Sequence, residues 1–253
     1  MVRDHRLNRR ETLKAGAAIT ACAALAGTAA AQTPTMLKLR VLETTDLHVN
    51  IMPYDYFRDG PDDTVGLAKT ASLIKAAQAD AKNSLLFDNG DFLQGSSLGD
   101  YIAYKKGLKA GDTHPMLAAM NALPYLCGTI GNHEFNYGLE FLDHGLAKAD
   151  FPMVCANVER IGGYSLVDPW RLFEQSFEDE AGNRHVLKIG VIGFVPPQIM
   201  QWDKAHLDGK LIATDIVDAA DKHMPGLRDA QPDLVIALCH SGIAGGTRRG
   251  AGP

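Results

Sequence analysis

Four hydrophobic runs in this chain each end in a short polar cluster of metal-ligand residue types, and that repetition restricts the fold more than any other feature. Asp46-Leu47-His48 closes the run over 37–45, and Asn89-Gly90-Asp91 closes the run over 84–88. Gly131-Asn132-His133-Glu134 follows 125–130, and Cys239-His240-Ser241 follows 233–238. The short runs read as strands, and segments of helical spacing lie between them, so the pattern predicts an α/β sheet with helices on its faces. In such sheets ligands bind outside the carboxyl ends of the strands, so four polar clusters at strand ends predict one site at one sheet edge.

Helices are expected over 65–81, 98–106, 114–122, 139–148 and 215–230, the last with Asp215 as N-cap. Strands are expected over 37–45, 84–88, 125–130, 152–157, 186–195 and 233–239, the last one buried. Mixed strand and turn character is expected over 166–185, and there is no internal repeat.

The N-terminus has the order of an export signal. Asn8-Arg9-Arg10-Glu11-Thr12-Leu13-Lys14 resembles the twin-arginine motif, the apolar stretch 15–26 is too short to span a membrane, and Ala29-Ala30-Ala31 fits a cleavage site. This predicts a signal peptide over 1–31, a linker over 32–36, a passage through the twin-arginine export machinery, and a periplasmic or extracellular destination. A second reading stays open: Ile19-Thr20-Ala21-Cys22 resembles a lipoprotein box that would anchor the chain through Cys22. The leader holds five basic and two acidic side chains, so the chain's net charge of −5 leaves −8 on the remainder. That balance argues against a nucleic-acid polymer or an anionic membrane as partner, but not against a small phosphorylated substrate held by cations. Cys127, Cys155 and Cys239 sit in apolar runs, are odd in number and lack CxxC spacing, so buried free thiols are expected.

The clusters carry the chemistry. On a strand, residues two apart share a face, so Asp46 and His48 can approach one ion; carboxylate with imidazole suits Mn, Zn or Fe better than Ca. Asp91, projecting from a tight turn, has two oxygens with which to bridge two cations. Asn132 offers a neutral amide oxygen, and Gly131 admits close backbone approach. His133 can hydrogen-bond a phosphoryl oxygen or give up a proton, while Glu134 is better suited to orienting the loop. His240 ends the last strand. Each cluster alone also reads as an ordinary turn or cap; their joint position after strands favours the metal site.

In this order the motifs resemble the calcineurin-like metallophosphoesterase superfamily. Asp46-x-His48, Gly90-Asp91, Gly131-Asn132-His133-Glu134 and His240 match its first four motifs. Within it, Asn136-Tyr137-Gly138 and 65–71 are similar to the exported bifunctional 2′,3′-cyclic-nucleotide 2′-phosphodiesterases/3′-nucleotidases, where 5′-nucleotidases commonly carry Asp in place of Asn136. The resemblance implies a layered β-sandwich flanked by helices and two divalent ions (Mn, Zn, Fe, Co or Mg). It implies Asp46, His48 and Asp91 on one ion, and Asp91, Asn132 and His240 on the other. It gives His133 the catalytic role, with Glu134 and Asn136 supporting the ligands or substrate. A nucleotide is the implied substrate, cyclic 2′,3′-phosphate opening to the 3′-nucleotide and then losing phosphate.

A fifth family motif, Gly-His-x-His, does not follow His240 within the 253 residues. The domain is therefore expected over 37–243 as an incomplete phosphoesterase lacking its C-terminal part, with an irregular tail over 244–253 and impaired activity. A truncated or frameshifted product is favoured over a natural flexible tail. Three other readings stay open: a 5′-nucleotidase or other exported nucleotide phosphatase, a non-catalytic periplasmic metal- or nucleotide-binding protein, and a non-functional fragment.

Overall fold

The structure, a computed structural model, describes residues 35–242. The expected leader over 1–31 and tail over 244–253 lie outside the described residues. The compact unit starts at Leu37. In chain order its elements are β1 (Arg40–Thr44), β2 (Tyr54–Asp55), β3 (Gly60–Pro61), α1 (Leu67–Ala79), β4 (Ser84–Asp88) and α2 (Ser97–Tyr101), which runs on as a π-turn over Ile102–Lys106. Then come α3 (Pro115–Met120), β5 (Tyr125–Thr129), a 3-10 turn (His133–Phe135), α4 (Leu139–Leu146), β6 (Met153–Val154), β7 (Val158–Arg160), β8 (Tyr164–Ser165), β9 (Trp170–Glu178) and β10 (Arg184–Phe194). The last are α5 (Ile199–Trp202), α6 (Lys204–Leu207), β11 (Leu211–Ala213), α7 (Ile216–Asp229) and β12 (Leu234–Cys239).

Side-chain alternation along the strands sorts these elements into four layers. One sheet is parallel throughout, in the order β1-β4-β5-β6. The other runs β12-β10-β9, with β10 parallel to β12 and antiparallel to β9. Leu85, Phe87, Cys127 and Val154 point from the first sheet into the second, where they meet Phe177, Ile189, Val191 and Leu238. Leu86, Tyr125 and Met153 point the other way, into a core with Leu67 and Ile74 of α1, Met116, Leu117 and Met120 of α3, and Leu142 of α4. Ile192 and Phe194, on the outer face of the second sheet, pack under Ala219 and Leu227 of α7. The period of two along β4 and β10 thus assigns alternate residues to different cores. The sandwich flanked by helices matches the expected architecture.

Where β10 crosses β6 and the residues just after it, the two backbones touch. The amide of Ala156 donates to the Gly193 carbonyl at 2.7 Å. A Cβ at Gly193 would lie 2.2 Å from the Val154 carbonyl oxygen and 2.4 Å from Thr129 Oγ1, so only glycine fits.

The structure departs from the expected elements in several places. The strand expected over 152–157 is only two residues long as β6, because Cys155 and Ala156 leave the first sheet to pair with Asp168 and Gly193. The mixed strand and turn character expected over 166–185 holds: bends lead into the nine-residue β9, and a turn connects it to its long antiparallel partner β10. The helix expected over 98–106 widens to π geometry at residue 102. β12 is not buried: among the described residues it pairs on one side only, five of its six residues are half-buried or exposed, and its Cys239 is exposed where a buried thiol was expected. Cys127 and Cys155 are buried, and burial pushes both thiols up to about 12. Among the described residues no helix is long and apolar enough to cross a membrane.

Candidate metal centre

Because β1, β4 and β5 are parallel neighbours, their carboxyl ends open onto one edge, and β12 delivers its own end beside them. Asp46 and His48 do not share a strand face as expected: β1 stops at Thr44, and both residues lie in the turn beyond it. Asp46 (φ 53°), His48 (φ 47°) and Val49 (φ 57°) all adopt left-handed backbone, as does Asp91 (φ 62°). For non-glycine residues that conformation costs about 1–2 kcal/mol each. The surroundings hold it in place: the amides of Asp46, His48 and Val49 donate to the carbonyls of Gly90, Asp91 and Phe92 at 3.0, 2.9 and 3.2 Å. The ladder between β1 and β4 therefore continues past both strands and locks one loop to the other.

Glu134 braces the next loop. Its side chain is 1% exposed, and its two oxygens accept from four backbone amides: Gly131 (2.6 Å), Asp91 (2.7 Å), Phe92 (2.7 Å) and Leu93 (3.0 Å). Burial and the nearby Asp91 charge raise its pKa, and the amides oppose them. With four N–H groups aimed at it, both oxygens serve as acceptors. Glu134 faces inward and organises the loops rather than touching a ligand. Gly131 must be glycine, because a Cβ there would lie 2.2 Å from Asp91 Oδ1.

These constraints bring the expected donors together. Single ligand atoms of Asp46, His48 and Asp91 lie within 4.8 Å of one another. His48 Nδ1 is 2.7 Å from the Gln94 carbonyl, and its Nε2 is 3.6 Å from Asp46 Oδ1. His240 Nδ1 is 2.6 Å from the Asn89 carbonyl, and its Nε2 is 3.0 Å from Asp91 Oδ2. Each imidazole thus donates Nδ1–H to a backbone carbonyl and presents Nε2 to a carboxylate, the arrangement in which histidines commonly ligate metals. Burial opposes a charge on His240, but the hydrogen bond and charge of Asp91 outweigh it and lift the imidazole to about 9. Burial likewise pushes Asp91 up, and His240 with the amide of His133 (2.8 Å to Oδ1) brings it below the usual carboxylate range.

Asn132, half-buried, lines a cleft of about 260 Å³ with Asp46, Asn89, Pro196, Trp202 and His240. The His133 ring packs edge-on against His48, centroids 5.3 Å apart. Its Nδ1 lies 2.6 Å from Asn136 Oδ1, and Asn136 Nδ2 donates to Asp203 Oδ1 at 2.9 Å. Asn136 thus turns away from the donors and supports His133. Asp88, fully buried, accepts from Thr44 Oγ1 at 2.6 Å and from the Gly90 amide at 3.0 Å; burial pushes it up to about 8. Asp203 and Trp202 were missed in the sequence. They follow no strand, and no spacing marks them.

Carboxylate and imidazole donors converging on one point fit a divalent transition metal. Residues 39–253 match the profile of the calcineurin-like phosphoesterase family. The chain is 52% identical over 207 residues to the 2′,3′-cyclic-nucleotide 2′-phosphodiesterase/3′-nucleotidase of Salmonella typhimurium, covering 81% of this chain and 32% of that protein. It is 47% identical over 208 residues to the trifunctional nucleotide phosphoesterase protein YfkN of Bacillus subtilis, covering 81% of this chain and 14% of that protein. The crystal structure of calcineurin-like phosphoesterase YfkN from Bacillus subtilis superposes with a TM-score of 0.81 at 45% identity, over 85% of this chain and 66% of that one. The chain spans a third or less of the length of these curated relatives.

Proposed function

The chain belongs to the calcineurin-like phosphoesterase family, and from that membership we propose that it carries the metal-binding part of a hydrolase for 2′,3′-cyclic nucleotides. The family uses divalent metals. Asp46, His48 and Asp91 would hold one ion, and Asp91, Asn132 and His240 a second. The observation that carries this reading is the meeting of Asp46, His48, Asp91 and His240 at one edge. When bound, such ions lower the pKa of water and neutralise phosphoryl oxygens.

The chain's own residues do the rest. Asp91 offers its second oxygen towards His240 while the first is tied to the His133 amide. His133, with Nδ1 engaged by Asn136, has Nε2 available for a phosphoryl oxygen or for the proton that the leaving oxygen needs. Water adds to phosphorus, the bond from phosphorus to the 2′ oxygen breaks, and that oxygen takes a proton to give the 3′-nucleotide. A second addition of water releases phosphate and nucleoside. Asn136 and the 52% identity to a cyclic-nucleotide enzyme favour this substrate over 5′-nucleotides; the match to a snake venom 5′-nucleotidase of Naja atra is 30%.

We also propose export by the twin-arginine route to the periplasm or cell exterior. Because no Gly-His-x-His follows His240 in these 253 residues, a preparation of them alone would turn over slowly. The test is hydrolysis of 2′,3′-cyclic AMP, 3′-AMP and 5′-AMP by the purified chain with Mn or Co, before and after chelation. Metal-dependent release of 3′-AMP, faster than any attack on 5′-AMP, is expected. Preference for 5′-AMP, or turnover indifferent to chelator, would sink the reading.

A further inference from the structure

We propose that Asp203 is a positioning residue: acting through the amide of Asn136, it holds His133 in the tautomer that carries hydrogen on Nδ1. The functional meaning of this relay rests on the catalytic reading of His133 given above; its geometry does not.

A carboxylate only accepts, so Asp203 Oδ1, 2.9 Å from Asn136 Nδ2, fixes which end of the amide faces it. The NH2 group points to Asp203, and the amide oxygen is left facing His133 Nδ1 at 2.6 Å. Two acceptors cannot share that short contact, so Nδ1 must bring the hydrogen. Nε2 is then bare in the neutral ring and protonated in the charged one. Nδ1 keeps its hydrogen in both states, so His133 can take up or release a proton at Nε2 without any rotation of its partner. If the amide were free to turn over, its NH2 could face an unprotonated Nδ1. The hydrogen would then sit on Nε2, and protonation at Nδ1 would require the amide to rotate back.

A purely local role for Asp203 fits the structure poorly. It stands at the N-cap position of α6, where an aspartate ordinarily accepts from its own helix, yet its side chain makes no capping bond. It is 7% exposed, and its other oxygen, Oδ2, has no hydrogen-bond partner. A buried carboxylate that forgoes its own helix end and spends one oxygen on Asn136 is placed for that contact. The cleft-lining Trp202 is its neighbour in sequence, so the turn between α5 and α6 serves the site from two sides.

The test reads the tautomer directly. In the whole chain labelled with 15N-histidine, at a pH above the ordinary histidine range, His133 should show a protonated Nδ1 and a bare Nε2. Asp203→Leu should move the signal towards protonated Nε2. Asn136→Asp alone sets two carboxylates against each other and should disturb the ring. Asn136→Asp combined with Asp203→Asn should restore Nδ1–H, because the carboxylate at 136 then accepts from both neighbours; this double variant guards against a single change that merely misfolds. Where turnover is measured, Asp203→Leu should lower kcat about 10–100-fold with KM little changed. A shifted tautomer supports the proposal whether or not the chain hydrolyses nucleotides. An unchanged His133 signal in folded Asp203→Leu overturns it, even in an active chain.

Discussion

His240 Nε2 stands 3.0 Å from Asp91 Oδ2, so a residue at the end of the second sheet meets one at the end of the first. Asp46, His48 and Asp91 ride on loops that are locked to each other by backbone hydrogen bonds, whereas His240 arrives on β12. Removing His240 should therefore leave the first group intact. In calorimetric titrations with Mn, His48→Ala is expected to weaken the tighter binding event at least about 10-fold, while His240→Ala weakens only the second. Equal loss of both events in His240→Ala would contradict this independence.

Glu134→Gln keeps the size of the side chain but turns an acceptor into a donor in front of backbone amides. At least two of its four bonds are lost. A cost of about 2–5 kcal/mol in a denaturant titration is expected, with a fall in metal affinity because the loops carrying Asp91 and Asn132 loosen. Unchanged stability would mean that the brace is dispensable.

His114 gives the fold a pH dependence remote from the metal centre. It is fully buried at the N-cap of α3, Nδ1 accepts from the Met116 amide at 3.2 Å, and Nε2 has no partner. Burial, with a smaller push from Lys106, lowers its pKa from 6.5 to about 4. Between those values the unfolded chain binds the proton and the folded one does not, so stability is complete above 6.5 and falls as pH drops towards 4. The loss reaches about 3 kcal/mol at most. His114→Asn retains a capping acceptor and cannot titrate, so its stability should fall less than the wild type's by that amount over the same window. Parallel pH curves for the two proteins would refute the assignment.

Trp202 is 51% exposed and lines the same cleft as Asp46 and His240. An aromatic face there can stack on a base at about 1–3 kcal/mol. Adding 3′-AMP with metal should quench Trp202 fluorescence, read against a Trp202→Phe control because Trp170 lies elsewhere, under α7. Trp202→Ala should raise KM about 5–100-fold with kcat nearly constant. Equal quenching in Trp202→Phe would place the base somewhere else.

An α/β sheet was legible because strand-like and helix-like runs are local, while the layered sandwich was implied only by the family resemblance: Leu85, Leu86 and Phe87 form one unbroken apolar run, and only the structure divides them between two cores. The strand-end position of Asp91, Asn132 and His240 was legible because the cluster of each follows directly on an apolar run. Left-handed backbone at Asp46 and His48 was not, since nothing in Asp-Leu-His demands it; contacts with the Gly90–Phe92 loop impose it. The exposure of Cys239 was hidden too. An apolar run does not disclose whether its strand has neighbours on one side or two. Asp203 was out of reach because its partner Asn136 is distant in sequence and both residues are common in turns.

Gly193 gives the sandwich a consequence at long range. Its bare Cα lets β10 rest on the Val154 carbonyl, and β10 carries β12, whose end holds His240. One methyl group at that point would wedge the layers apart and draw the imidazole back from Asp91. The width of the gap between the sheets thus acts as the ruler that sets the reach of a donor at its rim, and a residue with no side chain is the mark on it.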